Sequence, residues 1–233
     1  MNQTWTPPKN LKISDWADTY RKLSPESSAE AGQWRTDRAE YQREIMDAFN
    51  DPDTQRIVFM KSAQVGATEI LLNVIGYYID QDPSPMLIMQ PTLAMSQAFS
   101  KDRLSAMIRD SEKIRDCVKD ARSRDSGNTV LSKKFAGGNL NIVGSNSAAG
   151  LASRPIRIVL ADEVDRYEQS AGAEGDPISL ATKRTTTFWN KKIYMCSTPT
   201  IKGLSRIEAA FEESDKRYYN VPCPECNHKQ ILK

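Results

Sequence analysis

Histidine is nearly missing from this chain: among 233 residues there is one, His228. A Ser-His-Asp triad or a multi-histidine metal centre in the body of the protein is thereby excluded. Long apolar runs are missing as well. The richest, ILLNVIGYYI at 70–79, is interrupted by Asn73 and Gly76 and falls short of the roughly 18 residues a membrane span needs. The opening MNQTWTPPKN has no apolar core of the kind a secretion signal carries. Four cysteines, with Cys117 and Cys196 isolated, fit reduced thiols in a cytosolic setting rather than a disulfide framework. An excess of one charge sign is also lacking. The 32 Lys and Arg against 30 Asp and Glu leave a net +2, which argues neither for nor against nucleic acid.

What is present suits one large α/β domain, or one domain with a small appendage: 39% hydrophobic residues suffice for a core. Residues 1–36 are polar, carry Trp5, Trp16 and Trp34, and read as an arm with a short helix over SDWADTYRKL (14–23) capped by Ser14. The tryptophans suit core or docking anchors better than base-stacking platforms. DRAEYQREIMDAF (37–49) is expected to be an amphipathic helix with Tyr41, Ile45, Ala48 and Phe49 on one face. Strands are expected at RIVFM (56–60), PMLIMQP (85–91), NLNIVGS (139–145), RIVLADE (157–163) and KIYMCSTP (192–199). Helices fall at 66–80, at about 93–108 and at 203–214. Short apolar runs separated by helices indicate a mainly parallel, doubly wound sheet covered on both faces. Residues 37–221 form this domain, and a new element begins near Pro222.

The stretch KSAQVGAT (61–68) nearly spells the phosphate-binding pattern G-x-x-x-x-G-K-[ST] between a strand and a helix. Gly66 and Thr68 are in place, but Ala67 stands where the lysine belongs, and Lys61 stands where the first glycine belongs. A helix N-terminus offers unpaired N–H groups and a positive dipole end to an anion. Lys61, on a long flexible stem, is able to swing across the loop to β- and γ-phosphates, and Thr68 sits in the first turn, where its hydroxyl would meet Mg²⁺. RIVLADE ends a strand in Asp162-Glu163, an aspartate to support Mg²⁺ beside a glutamate to orient or deprotonate a water. Ser197-Thr198-Pro199 closes the next strand, where α/β ligand sites lie.

In that order, and with a glutamine-bearing helix before them, these motifs resemble the large terminase subunit of tailed bacteriophages, most nearly the lambda type. The text carrying the likeness includes SDWADTYRKLSPESSAEAGQWRTDRAEYQREIMDAF, KSAQVGATE, MQPT, GSNSAAGLASRP, LADEVDRY, CSTPT and VPCPECNHKQ, essentially the whole chain. The resemblance implies a P-loop NTPase fold of the RecA and helicase-like ASCE class, and an ATP-driven motor that moves double-stranded DNA into a procapsid. It implies assembly into a ring, a small terminase subunit and a portal protein as partners, and a site of action in the host cytoplasm. Carried over, Lys61, Ser62, Gln64, Gly66, Ala67 and Thr68 match a variant Walker A loop with its lysine displaced to the front. Thr68 and Asp162 would serve Mg²⁺, and Lys61 and Glu163 catalysis. Ser197 and Thr198 match the motif coupling hydrolysis to movement. Tyr41 and Gln42 match the adenine-side motif, and Arg154 in GLASRP is a candidate phosphate or neighbouring-subunit contact. The family's nuclease needs an acidic metal site in a second domain, which is expected only in a longer protein.

The tail holds Cys223-x-x-Cys226 and then His228, half of a tetrahedral Zn²⁺ site, expected to fill only in the intact protein as part of a zinc-knuckle-like linker from 222. Between 101 and 134, ten Lys and Arg face six Asp and Glu. Arg122, Arg124, Lys133 and Lys134 there are candidates for DNA phosphates, with a solvated helical face as the plainer alternative. Two other functions fit the motifs, a helicase-like DNA-dependent ATPase and a degenerate nucleotide-binding module.

Overall fold

The computed structural model describes residues 10–26, 28, 30–118, 127–152 and 154–231. Trp5, Arg122 and Arg124 lie outside them. The helices are α1 (Ile13–Tyr20), α2 (Tyr41–Asp47), α3 (Ala67–Asp80), α4 (Leu93–Ala98), α5 (Ser105–Asp110), α6 (Glu112–Cys117), α7 (Ala148–Ala152), α8 (Pro177–Lys183) and α9 (Arg206–Glu212). A π-helical segment, Phe99–Leu104, joins α4 to α5. A short hairpin pairs β1 (Lys22–Leu23) with β2 (Gly32–Gln33). The central sheet is built from β3 (Arg56–Met60), β4 (Pro85–Gln90), β5 (Ser132–Phe135), β6 (Gly138–Gly144), β7 (Ile158–Asp162) and β8 (Lys192–Ser197). A last hairpin pairs β9 (Asn220–Pro222) with β10 (Lys229–Ile231).

The sheet order is β3-β8-β7-β4-β6-β5, parallel throughout except for β5 at one edge. Side chains alternate between its faces, as strand geometry requires. Ile57, Met86, Ile88, Ile158, Leu160, Tyr194 and Cys196 join one core cluster with residues of α1, α2, α3, α5 and α6. Leu87, Met89, Val159, Ala161, Ile193 and Met195 join the second, with residues of α7, α8 and α9. The sheet is therefore covered on both faces, as the apolar runs imply. Strand β8, the last of these six in sequence, lies between β3 and β7, so the loop strand and the acidic strand are one strand apart.

Local chemistry accounts for most boundaries. Gly66 precedes α3 in the left-handed region at φ 73°. Ser205 caps α9 by accepting from the Glu208 N–H, which starts that helix at Arg206 rather than at 203. Three expectations change. Ser14 is not a cap: it lies within α1, buried, and its N–H donates to Asp47 Oδ1 at 3.0 Å while Ile13 N–H donates to Asn50 Oδ1 at 2.9 Å. The neighbouring α2 region thus caps α1 in place of a local residue. The long helix over 37–49 is a 3₁₀ turn, Thr36–Ala39, followed by α2; Phe49 is buried and Ile45 and Ala48 pack partly buried against the core as expected, with Gln42 and Met46 buried beside them. Lys133 is buried with its ammonium on the Thr129 carbonyl at 2.6 Å, so it offers nothing to a phosphate, whereas Lys134 is exposed.

The described tryptophans of the N-terminal segment are anchors. Trp16 is fully buried and donates its indole N–H to Asp80 at 2.8 Å, and Trp34 donates to Thr36 at 3.0 Å. Among the described residues no helix is long and apolar enough to cross a membrane.

Candidate functional site

Three parallel strands end side by side: in register, Met60 of β3 faces Ser197 of β8, and Cys196 faces Asp162 of β7. The next residue of β3 is Lys61, whose backbone N–H donates to the Ser197 carbonyl at 3.1 Å, extending the ladder by one rung. The loop 61–66 then turns into α3. Two of its residues adopt left-handed conformations, Gln64 at φ 63° and Gly66 at φ 73°. Left-handed residues of this kind are a feature of backbone nests that bind anions, and this loop opens a 14-residue helix. Gly66 has a second reason to be glycine, because an added Cβ would stand 2.6 Å from Gln42 Nε2.

Across this loop Lys61 reaches the acidic strand. Its Nζ donates to Glu163 Oε1 at 2.7 Å, with the lysine side chain only 7% exposed and the glutamate 22%. Arg166 approaches the other oxygen of Glu163 at 3.6 Å, and Ser197 Oγ lies 3.5 Å from it. Glu163 holds φ 54° and ψ 51°, a left-handed conformation that costs a non-glycine residue on the order of 1–3 kcal/mol and clusters at functional sites. Asp162, one residue earlier and the last of β7, has other partners. Its oxygens accept from Gln90 Nε2 at 3.0 Å and from Cys196 Sγ at 3.1 Å. Burial pushes the Asp162 carboxyl above the usual carboxylate range, and the Cys196 and Gln90 hydrogen bonds only partly oppose that shift. Burial likewise pushes the Cys196 thiol well up, which keeps it a protonated donor.

Arg154 lines a separate cavity with Asn141, Val143 and Leu151, and the other anticipated residues are placed as follows. Ser62 and Gln64 are exposed on the loop, Thr68 is half-buried in the first turn of α3, and Ala67 belongs to the core at 5% exposure. Tyr41 Oη and Gln42 Nε2 both donate to one acceptor, the Val65 carbonyl, at 2.9 and 3.0 Å. Gln42 Oε1 is buried without a partner. Ser197 Oγ donates to the Thr198 carbonyl at 3.0 Å and accepts from the Asp165 N–H at 3.3 Å. Thr198 itself is half-buried, and Arg154 is exposed between α7 and β7.

Three residues of the site were not anticipated as such. Gln90 and Cys196 hold Asp162, as above. Asp165 ties down the segment after β8: its Oδ2 accepts from Thr200 N and Oγ1 at 2.9 and 3.0 Å, and its Oδ1 from Ile207 N at 2.8 Å. Burial pushes its carboxyl up, but bonds from Ser205, Ile207 and Thr200 together outweigh that and leave it below the usual range.

The donor set of Thr68 and Asp162 is all oxygen with one carboxylate. That suits Mg²⁺, which takes one or two carboxylates and completes its shell with waters and substrate phosphates. Among the described residues no group of three or more His, Cys, Asp or Glu is placed to hold a metal by itself. In the tail, the Cys223 N–H donates to the His228 carbonyl and the Asn227 N–H to the Cys223 carbonyl, each at 2.9 Å. Backbone hydrogen bonds from Cys226 and Glu225 draw the Cys223 thiol below its ordinary range. Cys223 and Cys226 thus lie on one turn, closed by the backbone hydrogen bonds with His228 and Asn227.

The sequence matches the family model for the phage terminase large subunit gpA, ATPase domain, over residues 28–233. It is 33% identical over 230 residues to the terminase large subunit of Enterobacteria phage P21, and 30% identical over 229 residues to that of Escherichia phage lambda. Each alignment takes in 97% of this chain but 35% of the relative, so the chain spans about a third of their length. Among solved structures, the large terminase ATPase domain of Thermus phage P74-26 superposes with a TM-score of 0.55 at 14% identity, covering 82% of this chain and 76% of that one. An arginine-to-alanine mutant of the same domain superposes at 0.54 and 15% identity, with the same coverage. At such identity the structural likeness bears on the fold, and it is the P-loop NTPase fold anticipated from the motifs. The chain belongs to the phage terminase large subunit gpA family and carries its ATPase domain.

Proposed function

We propose that this chain hydrolyses ATP with Mg²⁺ as the motor domain of a DNA-packaging terminase, translocating double-stranded DNA into a procapsid. The observation that carries the reading is the Lys61–Glu163 pair at 2.7 Å, beside a left-handed loop that opens a helix. In it, the relocated lysine and the glutamate of the acidic strand meet where a γ-phosphate would sit. The nest over 61–68, with Ser62, Gln64, Gly66, Ala67 and Thr68, binds the phosphate chain through backbone N–H groups. Lys61 leaves Glu163 for the β- and γ-phosphates, since a polyanion competes with a single carboxylate for one ammonium. Glu163, freed of its partner, accepts a hydrogen bond from the attacking water and takes its proton. Thr68 and Asp162 would hold Mg²⁺, which when bound would neutralise charge on the transferring phosphoryl group.

Tyr41 and Gln42 lie on the base side. Their shared grip on the Val65 carbonyl connects base occupancy to loop position. Ser197 and Thr198 relay the state of Glu163 to the segment that follows. Arg154, exposed, is available to a neighbouring subunit in a ring. The small terminase subunit and portal as partners, a place in the host cytoplasm, endonuclease activity in a longer protein, and Zn²⁺ on Cys223 and Cys226 there complete the reading.

The test is steady-state ATP turnover with Mg²⁺. Wild type is expected to hydrolyse ATP, and Glu163→Gln to lose about 10²–10⁴-fold in kcat while still binding nucleotide. Unchanged turnover in that variant would remove Glu163 as the base. Turnover absent from wild type would favour a degenerate binding module.

A further inference from the structure

The two neighbouring carboxylates of the acidic strand are held by different kinds of partner. Glu163 is paired with a cation, Lys61. Asp162 is held by two uncharged donors, the Gln90 amide and the Cys196 thiol, one on each oxygen. Register explains how. Asp162 faces Cys196 directly in β8, while Gln90 follows Met89, which faces Ala161 on the other side. All three side chains stand on one face of the sheet, at the last rung of three adjacent parallel strands. They are 7%, 0% and 3% exposed for Asp162, Cys196 and Gln90.

Two such donors do more than satisfy a buried acid. Bonds to both oxygens fix the rotation of the carboxylate plane. A carboxylate has about four lone-pair sites, so two remain. Because neither donor carries charge, neither competes with a bound cation for the carboxylate. A lysine or arginine in either position would do so. Gln90 belongs to the MQPT stretch, to which the function proposed above assigns no role.

We infer that Gln90 and Cys196 are positioning residues for the metal. They hold the Asp162 carboxyl in a fixed orientation for Mg²⁺, and their loss weakens the cation without weakening the grip on the phosphate chain. This rests on the reading that Asp162 serves Mg²⁺. Partners that orient a ligating carboxylate cost 10–100-fold in metal affinity or activity when removed.

The experiment uses Mn²⁺ as a paramagnetic stand-in. Its affinity is measured by electron paramagnetic resonance in the presence of a non-hydrolysable ATP analogue, for wild type, Gln90→Leu, Cys196→Ala and Cys196→Ser. Analogue binding is measured in parallel in EDTA. Gln90→Leu and Cys196→Ala are expected to weaken Mn²⁺ by about tenfold or more, with metal-free analogue binding within about twofold of wild type. Cys196→Ser, which restores a donor, is expected to return towards wild type. Should Gln90→Leu fail to fold, the Cys196 pair decides alone. Wild type binding Mn²⁺ with the analogue while the variants match it overturns the inference and spares the proposed function. So does an equal loss of metal-dependent and metal-free binding, the mark of a merely structural role. Wild type that binds the analogue neither with Mn²⁺ nor without it overturns the proposed function itself.

Discussion

Lys61 and Glu163, 102 positions apart in sequence, meet at 2.7 Å, and the lysine side chain is 7% exposed. In the proposed cycle the phosphates must take the ammonium away from the carboxylate. Removing the competing charge therefore favours the nucleotide. Glu163→Gln is expected to bind a non-hydrolysable ATP analogue about three- to tenfold more tightly than wild type, corresponding to an ion pair worth roughly 1 kcal/mol. Titration calorimetry reads this directly, and weaker binding would mean that the pair does not oppose the nucleotide.

The Val65 carbonyl accepts from both Tyr41 and Gln42. Losing one donor leaves the carbonyl satisfied, while losing both leaves it unpaired. Tyr41→Phe and Gln42→Ala are expected to be non-additive, with a coupling of about 0.5–3 kcal/mol in a double-mutant cycle of urea unfolding. Strict additivity would show that the two bonds act independently.

Gly66 stands at φ 73°, and an added Cβ would lie 2.6 Å from Gln42 Nε2. Gly66→Ala is expected to cost about 1–2 kcal/mol for the left-handed backbone alone, plus whatever the displaced Gln42 loses. At this chain length each kcal/mol lowers Tm by roughly 2–4 °C. An unshifted melting curve would contradict the close approach.

Asp165 anchors Thr200 and the start of α9, and its folded carboxyl lies below the usual range. A depressed carboxyl contributes stability above the unfolded value of about 3.9, and that contribution is lost as the pH falls through the lower folded value. Asp165→Asn is expected to lose about 1–2 kcal/mol at pH 7, with the gap closing in acid. A deficit of equal size at both ends of the pH range would rule out the charge as its origin.

Much of this was legible in the sequence because it follows from local pattern. β4, β7 and β8 are buried on both faces, so they read as continuous apolar runs, and the ends of β7 and β8 carry motifs. What was not legible depends on strand order and on contacts from afar. Nothing near Ser14 announces that Asp47 and Asn50 cap α1 instead. Nothing in MQPT says that Gln90 ends beside Asp162, because that follows only once β4 lies next to β7. The helix α8 did carry a signal: Asp176 accepts from the Ser179 N–H, with Pro177 at the first helical position. The edge strand β5, SKKF, is short and polar except for Phe135, and gave no apolar run to notice.

Whether a phosphate loop works with its lysine at the front is decided by ATP turnover of Lys61→Ala. Ala67 is packed in the core at 5% exposure, so no other side chain of the loop supplies the charge. Turnover is expected to fall by at least about 10²-fold, the scale for losing one transition-state donor. Hydrolysis at the wild-type rate in Lys61→Ala would contradict the relocated lysine outright.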